Sequence, residues 1–503
     1  MTEFTDTEPL GRGILYQYAY FATLTLAGAA FYIYVIHIFP KDLVGSVALL
    51  IAILSLFPVV FSFGLQYGWQ HFTSYSLGVH NDESVKGIVQ KAIKVGLLLS
   101  ALSVIALVVL ARPISFLFFH SYSYLELVYL LAFDIPSSIM ITFFNSLMLG
   151  LQNFRKAGTI GMAYVIVVYG TSIIALHFTH SIYSIPLGWG VGYFAGAILY
   201  YVDIRRRLRA KRSSPFELKP LFSYSLPLYI TGILSYGAVY VDRLTVAYLK
   251  DLSSIGVYNL ALLISSGTSI LSSPIGGIIF SKFSEFYARQ DHEMIKEGVR
   301  IATDAASILY VPAALGVAAI SVPVIKLLAG AGYLEGAIPL SIILVVNALF
   351  VFGGPLGNAM QGIRKTRVFV MSTGLALFSN TFLSFTLIPR LSLVGASIAY
   401  SSTTVVSFLV IYYFARIADV VRFDRHFLPR LWISALVMAL IVYGAETITA
   451  FSVFLLPVYI LAGVAVFLIM LHITSALNDD DRQLLVSLIP QRMVLLRRII
   501  LIL

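Results

Sequence analysis

Residues 44–65 read VGSVALLIAILSLFPVVFSFGL, a stretch without one charged side chain. About 20 apolar residues at roughly 1.5 Å rise carry a helix across the hydrocarbon of a bilayer. In water such a stretch would need a large core to hide in, whereas in lipid its surface is already compatible with the solvent. Lys41-Asp42 precedes the run, and further runs lie on either side of it. They fall near 13–37, 90–111, 125–149, 157–178, 183–203, 221–249, 253–280, 300–323, 335–358, 366–388, 392–414, 430–449 and 453–474. The reading is therefore an all-α polytopic membrane protein of about fourteen transmembrane helices. Of the 503 residues 59% are hydrophobic and 12% charged, against roughly a quarter charged in a soluble domain. No stretch is left for a sizeable soluble domain.

Cysteine is absent, which excludes disulfides, thiolate metal sites and a cysteine nucleophile. No catalytic constellation, metal site or cofactor motif emerges, so none is assigned. The first residues, MTEFTDTEPLGRG, carry acids instead of a basic leader region, and the first apolar run reads as a retained helix. The formal charge of +10 raises the question of nucleic acid, but its placement follows membrane topology. With the N-terminus in the cytoplasm, 28 of the 34 Lys and Arg fall inside, five outside and one within a span. Inner loops carry such an excess in membrane proteins. Both termini are thus expected to be cytoplasmic, and no nucleic-acid partner is expected. The run Arg205-Arg206-Arg207-Leu208-Arg209-Ala210-Lys211-Arg212 reads as a linker that pins topology and touches anionic headgroups. Arg492 to Leu503, basic and apolar but too short to span, reads as an interfacial helix.

Two short matches recur at one offset of 209. Lys41-Asp42-Leu43 returns as Lys250-Asp251-Leu252, and Gln152, Arg155 and Lys156 return as Gln361, Arg364 and Lys365. Both pairs occupy equivalent places in the hydropathy pattern, which suggests a duplicated transporter-type fold. Six spans per lobe is an even number, so the two lobes are parallel. The expected organisation is an N-lobe at 1–204, a basic cytoplasmic linker at 205–220, a C-lobe at 221–415, and residues 416–503 holding two extra helices and the tail.

Three stretches then carry a resemblance: Asp242-Arg243-Leu244 followed by Gly256-Val257-Tyr258-Asn259-Leu260-Ala261; Ile325 to Ala337, reading IKLLAGAGYLEGA; and Leu393 to Ala399, reading LVGASIA. Together with the span count, they resemble the multidrug/oligosaccharidyl-lipid/polysaccharide exporter superfamily, and within it the polysaccharide-biosynthesis branch of lipid-linked oligosaccharide flippases. The resemblance implies a fold like that of the multidrug exporters, with two six-helix bundles around a cavity, and alternating access. It also implies movement of a polyprenyl- or dolichyl-linked sugar carrier from the cytoplasmic to the external leaflet. A plasma-membrane location follows, with membrane lipids, the carrier and glycan-assembly enzymes as partners.

An ionisable group deep in a span is costly and asks for a partner or a wet cavity. Arg243 is the one cation the topology places inside a span. On its face of the seventh span lie Tyr240, Tyr236, Tyr229 and Ser225, while Asp242 points about 100° away. A guanidinium pairs bidentately with phosphate, and tyrosines stack on sugars; a structural ion pair with packed tyrosines is the competing reading. The offset of 209 maps Arg243 onto Tyr34, Tyr240 onto Phe31 and Tyr229 onto Tyr20, an aromatic but uncharged stripe. Gln17 and Tyr16, with Asn145 and Asn259, are candidate sugar contacts, and Arg12, Arg155 and Arg364 candidate residues of the cytoplasmic mouth. Asp134 stands two residues before Pro136. There a broken helix would expose a carboxylate to a coupling ion, or the side chain would serve a kink-stabilising hydrogen bond. Asp304 is expected near the interface, as are His177 and His180 despite their ligand-like spacing. A flippase is the reading chosen, with a cation-coupled multidrug exporter as runner-up. A polytopic glycosyltransferase ranks lower because the external loops are short.

Overall fold

Among the described residues, proline, glycine and short polar turns divide the chain into sixteen α-helices in the computed structural model.

 The described segments are 10–207, 213–269, 283, 286–287, 289–449 and 455–475. The Arg12 side chain, linker residues 208–212 and the tail with Arg492 to Leu503 lie outside them. The helices are α1 (Leu10–Ile38), α2 (Lys41–Phe61), α3 (Leu65–Gly78), α4 (Asp82–Phe119), α5 (Leu125–Gly150), α6 (Phe154–Thr179), α7 (Ser184–Arg207), α8 (Leu218–Leu249) and α9 (Leu252–Ser269). They continue with α10 (His292–Ala319), α11 (Ser321–Ala329), α12 (Ala337–Leu349), α13 (Gly353–Gly362), α14 (Arg367–Ile417), α15 (Phe427–Ile448) and α16 (Leu455–Ile473). Among the described residues there is no strand.

Eleven of the helical segments are long and apolar enough to cross a membrane. α14 holds two spans in one, because Ser392, three residues after Pro389, adopts φ 51° and ψ −128° and breaks it. Counting both halves, and adding the more polar α8 and the shorter α9, is consistent with the expected number of about fourteen. The run at 44–65 needs correction at its end. α2 stops at Phe61, Phe63 and Gly64 take positive φ, and a separate amphipathic helix, α3, begins at Leu65. Three turns share one local design: a non-glycine residue at positive φ followed by an Asn or Asp whose side chain caps the next helix. They are His80 with Asn81, Gln152 with Asn153, and Gln290 with Asp291. Each cap satisfies one of the orphan N–H groups at a helix start.

Packing divides the chain into two compact units, Met1–Asn259 and Leu260–Leu503. This boundary falls inside α9, beyond the linker at which the repeat would divide the lobes. In the first unit α5 is the hub, packed against α2, α3, α4, α6 and α7. Its stripe Leu131, Ile135, Ile139, Phe143 and Leu147 is fully buried, with one residue per turn facing its neighbours. α6 and α7 approach so closely that a Cβ on Gly192 would lie 2.4 Å from Val168. Only glycine permits that spacing. In the second unit one core joins α10 to α15 and α16 around Val311, Leu431 and Met438. Another joins Ile295 and Val299 to Leu356, Met360 and Ile411.

Candidate substrate-binding site

α8 carries the polar stripe expected from its sequence, and α2 receives most of it. Tyr229 donates its hydroxyl hydrogen bond to Val60 O at 3.0 Å and Tyr236 to Ala52 O at 2.7 Å, while Tyr240 reaches Ser55 Oγ at 3.5 Å. Val60 lies in the last turn of α2, where carbonyls lack a helical donor. Ser225 is buried where α8 meets α3, its Oγ 2.5 Å from the position a Cβ on Gly68 would take. The hydroxyls of this stripe thus hold one helix to another, and the faces of its rings remain for other work. Tyr236 and Tyr240 stack with centroids 4.5 Å apart, and the Arg243 guanidinium lies 4.6 Å from the Tyr240 centroid. Such a cation over an aromatic face contributes about 0.5–2 kcal/mol and orients the guanidinium fork. Asp242 turns into the packing, fully buried, and accepts from Tyr258 Oη at 2.6 Å.

On the α1 side, Tyr20 Oη and Tyr164 Oη are 2.7 Å apart, Tyr34 Oη meets His177 Nδ1 at 3.2 Å, and Gln17 Nε2 donates to Phe154 O at 3.1 Å. Tyr16 lies under the Arg155 guanidinium at 5.9 Å. Phe31 is buried against Tyr169 and Trp189. Tyrosines that the sequence reading did not single out complete this region: Tyr164 and Tyr169 on α6, Tyr193 and Tyr200 on α7. Tyr169 and Tyr193 are electrostatic neighbours of both Tyr20 and Tyr240. The structure therefore brings Tyr20, Tyr236, Tyr240 and Arg243 into one tyrosine-rich neighbourhood of the first unit. Tyr229 and Gln17 are committed to backbone carbonyls. Asn145 accepts from Tyr200 at 3.3 Å, and Asn259 is half-buried on α9.

Asp134 is fully buried, and neither carboxylate oxygen has a hydrogen-bond partner. α5 runs through Pro136 as one helix, so the expected break is not there. Instead Ser100 Oγ donates to Pro136 O at 3.2 Å. Gly190 of α7 faces the carboxylate, where a Cβ would lie 2.9 Å from Oδ1, and Tyr193 is its electrostatic neighbour one turn on. In the second unit Arg364 is exposed in a left-handed turn after α13. Asp304 belongs to an ion-pair network, with Arg300 Nη1 at 3.3 Å from its Oδ2. His177 and His180 sit with ring centroids 6.5 Å apart, and among the described residues no group of three or more His, Cys, Asp or Glu is placed to hold a metal ion.

A many-span helical protein with an arginine set among tyrosines is the class that fold and site define. The fold is shared with solved transporters of the multidrug/oligosaccharidyl-lipid/polysaccharide superfamily. A lipid II flippase, MurJ, in an inward closed conformation superimposes with a TM-score of 0.69 at 18% identity, covering 88% of this chain and 97% of that one. An inward-facing multidrug-resistance MATE transporter of the same superfamily gives 0.65 at 15% identity, covering 79% and 94%. The chain belongs to the polysaccharide biosynthesis protein family, whose profile matches residues 38–338. A probable low-salt glycan biosynthesis flippase, Agl15 of Haloferax volcanii, is 20% identical over 347 residues, covering 68% of this chain and 70% of the relative.

Proposed function

We propose that the chain is a flippase for a lipid-linked oligosaccharide, moving a polyprenyl- or dolichyl-phosphate-linked glycan from the cytoplasmic to the external leaflet by alternating access. The observation that carries this reading is Arg243 held over the stacked pair Tyr240 and Tyr236. A guanidinium fork receives phosphate oxygens, and aromatic faces receive the apolar faces of sugars. Membership of the family and the probable role of the Haloferax volcanii relative in glycan biosynthesis point the same way. In this reading the lobes are 1–204 and 221–415, the mouth facing the cytoplasm is lined by Arg12, Arg155 and Arg364, and both termini are cytoplasmic in the plasma membrane. Enzymes of glycan assembly would supply and consume the carrier. In the same reading, the contact between α2 and α9 belongs to the external side. A Cβ on Gly45 would lie 1.7 Å from Leu252 O, and this contact has to part for release outward.

The test is transport in vesicles of a polyprenyl-diphosphate sugar bearing a fluorophore on the sugar, with an impermeant quencher outside. Protein-containing vesicles should expose the label faster than protein-free ones, and Arg243→Ala should remove most of the difference. Equal rates with and without the protein would end the proposal. A second reading, cation-coupled drug export, is favoured by the buried carboxylate of Asp134 alone. Uptake of a cationic dye into inverted vesicles, lost in Asp134→Asn, would choose it over the first.

A further inference from the structure

α4 and α7 both pack along α5, yet they are not among the principal helix contacts with each other. Two helices that share a floor while making few contacts with each other leave a furrow between them. At one end it holds a cavity of about 280 Å³ lined by Lys86, Val89, Gln90 and Ile93 from α4 and by Tyr201, Ile204 and Arg205 from α7. Its chemistry is divided by height. Lys86 and Arg205 bring a cation from each wall, and Gln90 is fixed beside them because Ser213 Oγ donates to its Oε1 at 3.0 Å. Val89 and Ile204 are buried behind. Tyr201 is braced on Phe144 of α5, with centroids 6.2 Å apart.

The furrow continues away from the cations in helical steps. On α4 the face runs Lys86, Gln90, Ile93, Leu97; on α7 it runs Arg205, Tyr201, Ile198, Phe194, each three or four residues apart and so on one side of its helix. Leu97 is 57% exposed, Ile198 44% and Phe194 62%. Two cations at the mouth of an exposed apolar furrow match a molecule with a phosphate at one end and long apolar chains at the other. The cationic end lies on the side that the Lys and Arg sorting assigns to the cytoplasm. A surface facing the surrounding bilayer meets its phospholipids first, and anionic headgroups concentrate beside basic juxtamembrane residues.

We infer that the furrow between α4 and α7 is a binding site for an anionic phospholipid of the cytoplasmic leaflet, its phosphate held by Lys86 and Arg205 and one chain lying along Leu97 and Ile198. The inference goes beyond the flippase reading and needs only the membrane topology assumed there. Its occupant is resident and is not the transported carrier.

Native mass spectrometry of the purified full-length protein tests it, with dioleoyl phosphatidylglycerol and dioleoyl phosphatidylcholine added at equal concentration. The wild-type protein should retain several-fold more phosphatidylglycerol than phosphatidylcholine. Lys86→Gln with Arg205→Gln should remove that excess, whereas Lys94→Gln, an exposed cation outside the cavity, should leave it. Arg205 and Lys94 are exposed and Lys86 is half-buried; equal melting temperatures in detergent confirm folding, and Arg205→Lys, which keeps the charge, should retain most of the excess. Equal retention of the two lipids, an excess unaffected by the double substitution, or equal loss from Lys94→Gln would overturn the site. Displacement of phosphatidylglycerol by stoichiometric undecaprenyl phosphate, but not by millimolar inorganic phosphate, would give the furrow to the carrier and overturn the resident lipid. Displacement by inorganic phosphate alone would overturn the role of the chains. None of these readouts depends on transport, so failure here leaves the flippase reading untouched and the converse also holds.

Discussion

The first unit sets its polar groups among tyrosines, and the second joins several of its charges in one network at the start of α10. There Arg300 meets Glu297 at 2.6 Å, Asp304 at 3.3 Å and Asp424 at 3.5 Å, while Lys296 meets Asp419 at 2.8 Å. Arg422 adds contacts to Glu293 and Glu297. In that network carboxylates and cations compensate one another at the end of a helix, with water near. Arg243 lies over the Tyr240 ring, and its neighbour Asp242 accepts from Tyr258. In the flippase reading, the contrast separates charge that fastens the fold from charge that meets a ligand.

The sharpest way to break that comparison is Arg243→Ala. A charge-assisted hydrogen bond to a phosphate contributes about 1.5–3 kcal/mol, so transport per folded protein should fall ten- to a hundred-fold with little change in melting temperature. Arg243→Lys should recover part of it, because the ammonium lacks the bidentate fork. A large fall in melting temperature with unchanged transport by the surviving protein would move Arg243 into the fastening class. Arg300→Ala should show the opposite pattern. It leaves Glu297, Asp304 and Asp424 without this partner and should lower stability by about 1–3 kcal/mol, with transport per folded molecule unchanged. Because the guanidinium keeps 20% exposure, water and salt screening place the value toward the lower end. Thermal unfolding in low and high salt checks both points.

Tyr236→Phe refines the comparison within α8 itself. It keeps the ring for stacking and removes the hydroxyl that donates to Ala52 O, so stability should fall by about 1 kcal/mol while carrier binding survives. Tyr236→Ala should impair both, as read by melting temperature and by retention of undecaprenyl phosphate. The smallest effect concerns pH. The backbone N–H of Ser254, donating at 2.7 Å, holds the Asp251 carboxyl below its ordinary value of 3.8. A carboxyl lowered in the folded state contributes stability above its unfolded pKa, and that contribution is lost as pH falls through the lowered value. Asp251→Ala should therefore cost about 0.5–2 kcal/mol near neutrality and progressively less below pH ~4. Paired melting curves at neutral and acid pH test the sign.

Much of this fold was legible because hydrophobic length and proline placement act locally. The break between residues 388 and 392 is one such case, where Pro389 and the left-handed Ser392 end one span and start another. α3 was not legible, since its mixture of Gln66, His71, Thr73 and Ser76 with aromatic residues lacks the continuous apolarity that marks a span. The α8 stripe shows where periodicity ends as evidence. It gives the face shared by Arg243, Tyr240, Tyr236 and Tyr229, but the partner of each hydroxyl depends on α2, nearly 200 residues earlier. Tyr164, Tyr169, Tyr193 and Tyr200 escaped notice for a related reason. They come from two helices and share no spacing with α8; only packing brings them together.

The seam between α2 and α8 has a consequence for motion. Its hydrogen bonds run from tyrosine hydroxyls to the carbonyls of Ala52 and Val60, and such bonds exchange for bonds to water at a net cost of about 0.5–1.5 kcal/mol each. A seam of interlocked leucines would resist opening with its whole buried area. A seam of hydroxyls opens by hydration, tooth by tooth, and closes again when the water leaves. Wetting along α8 would then be the first step of any movement that separates the two helices.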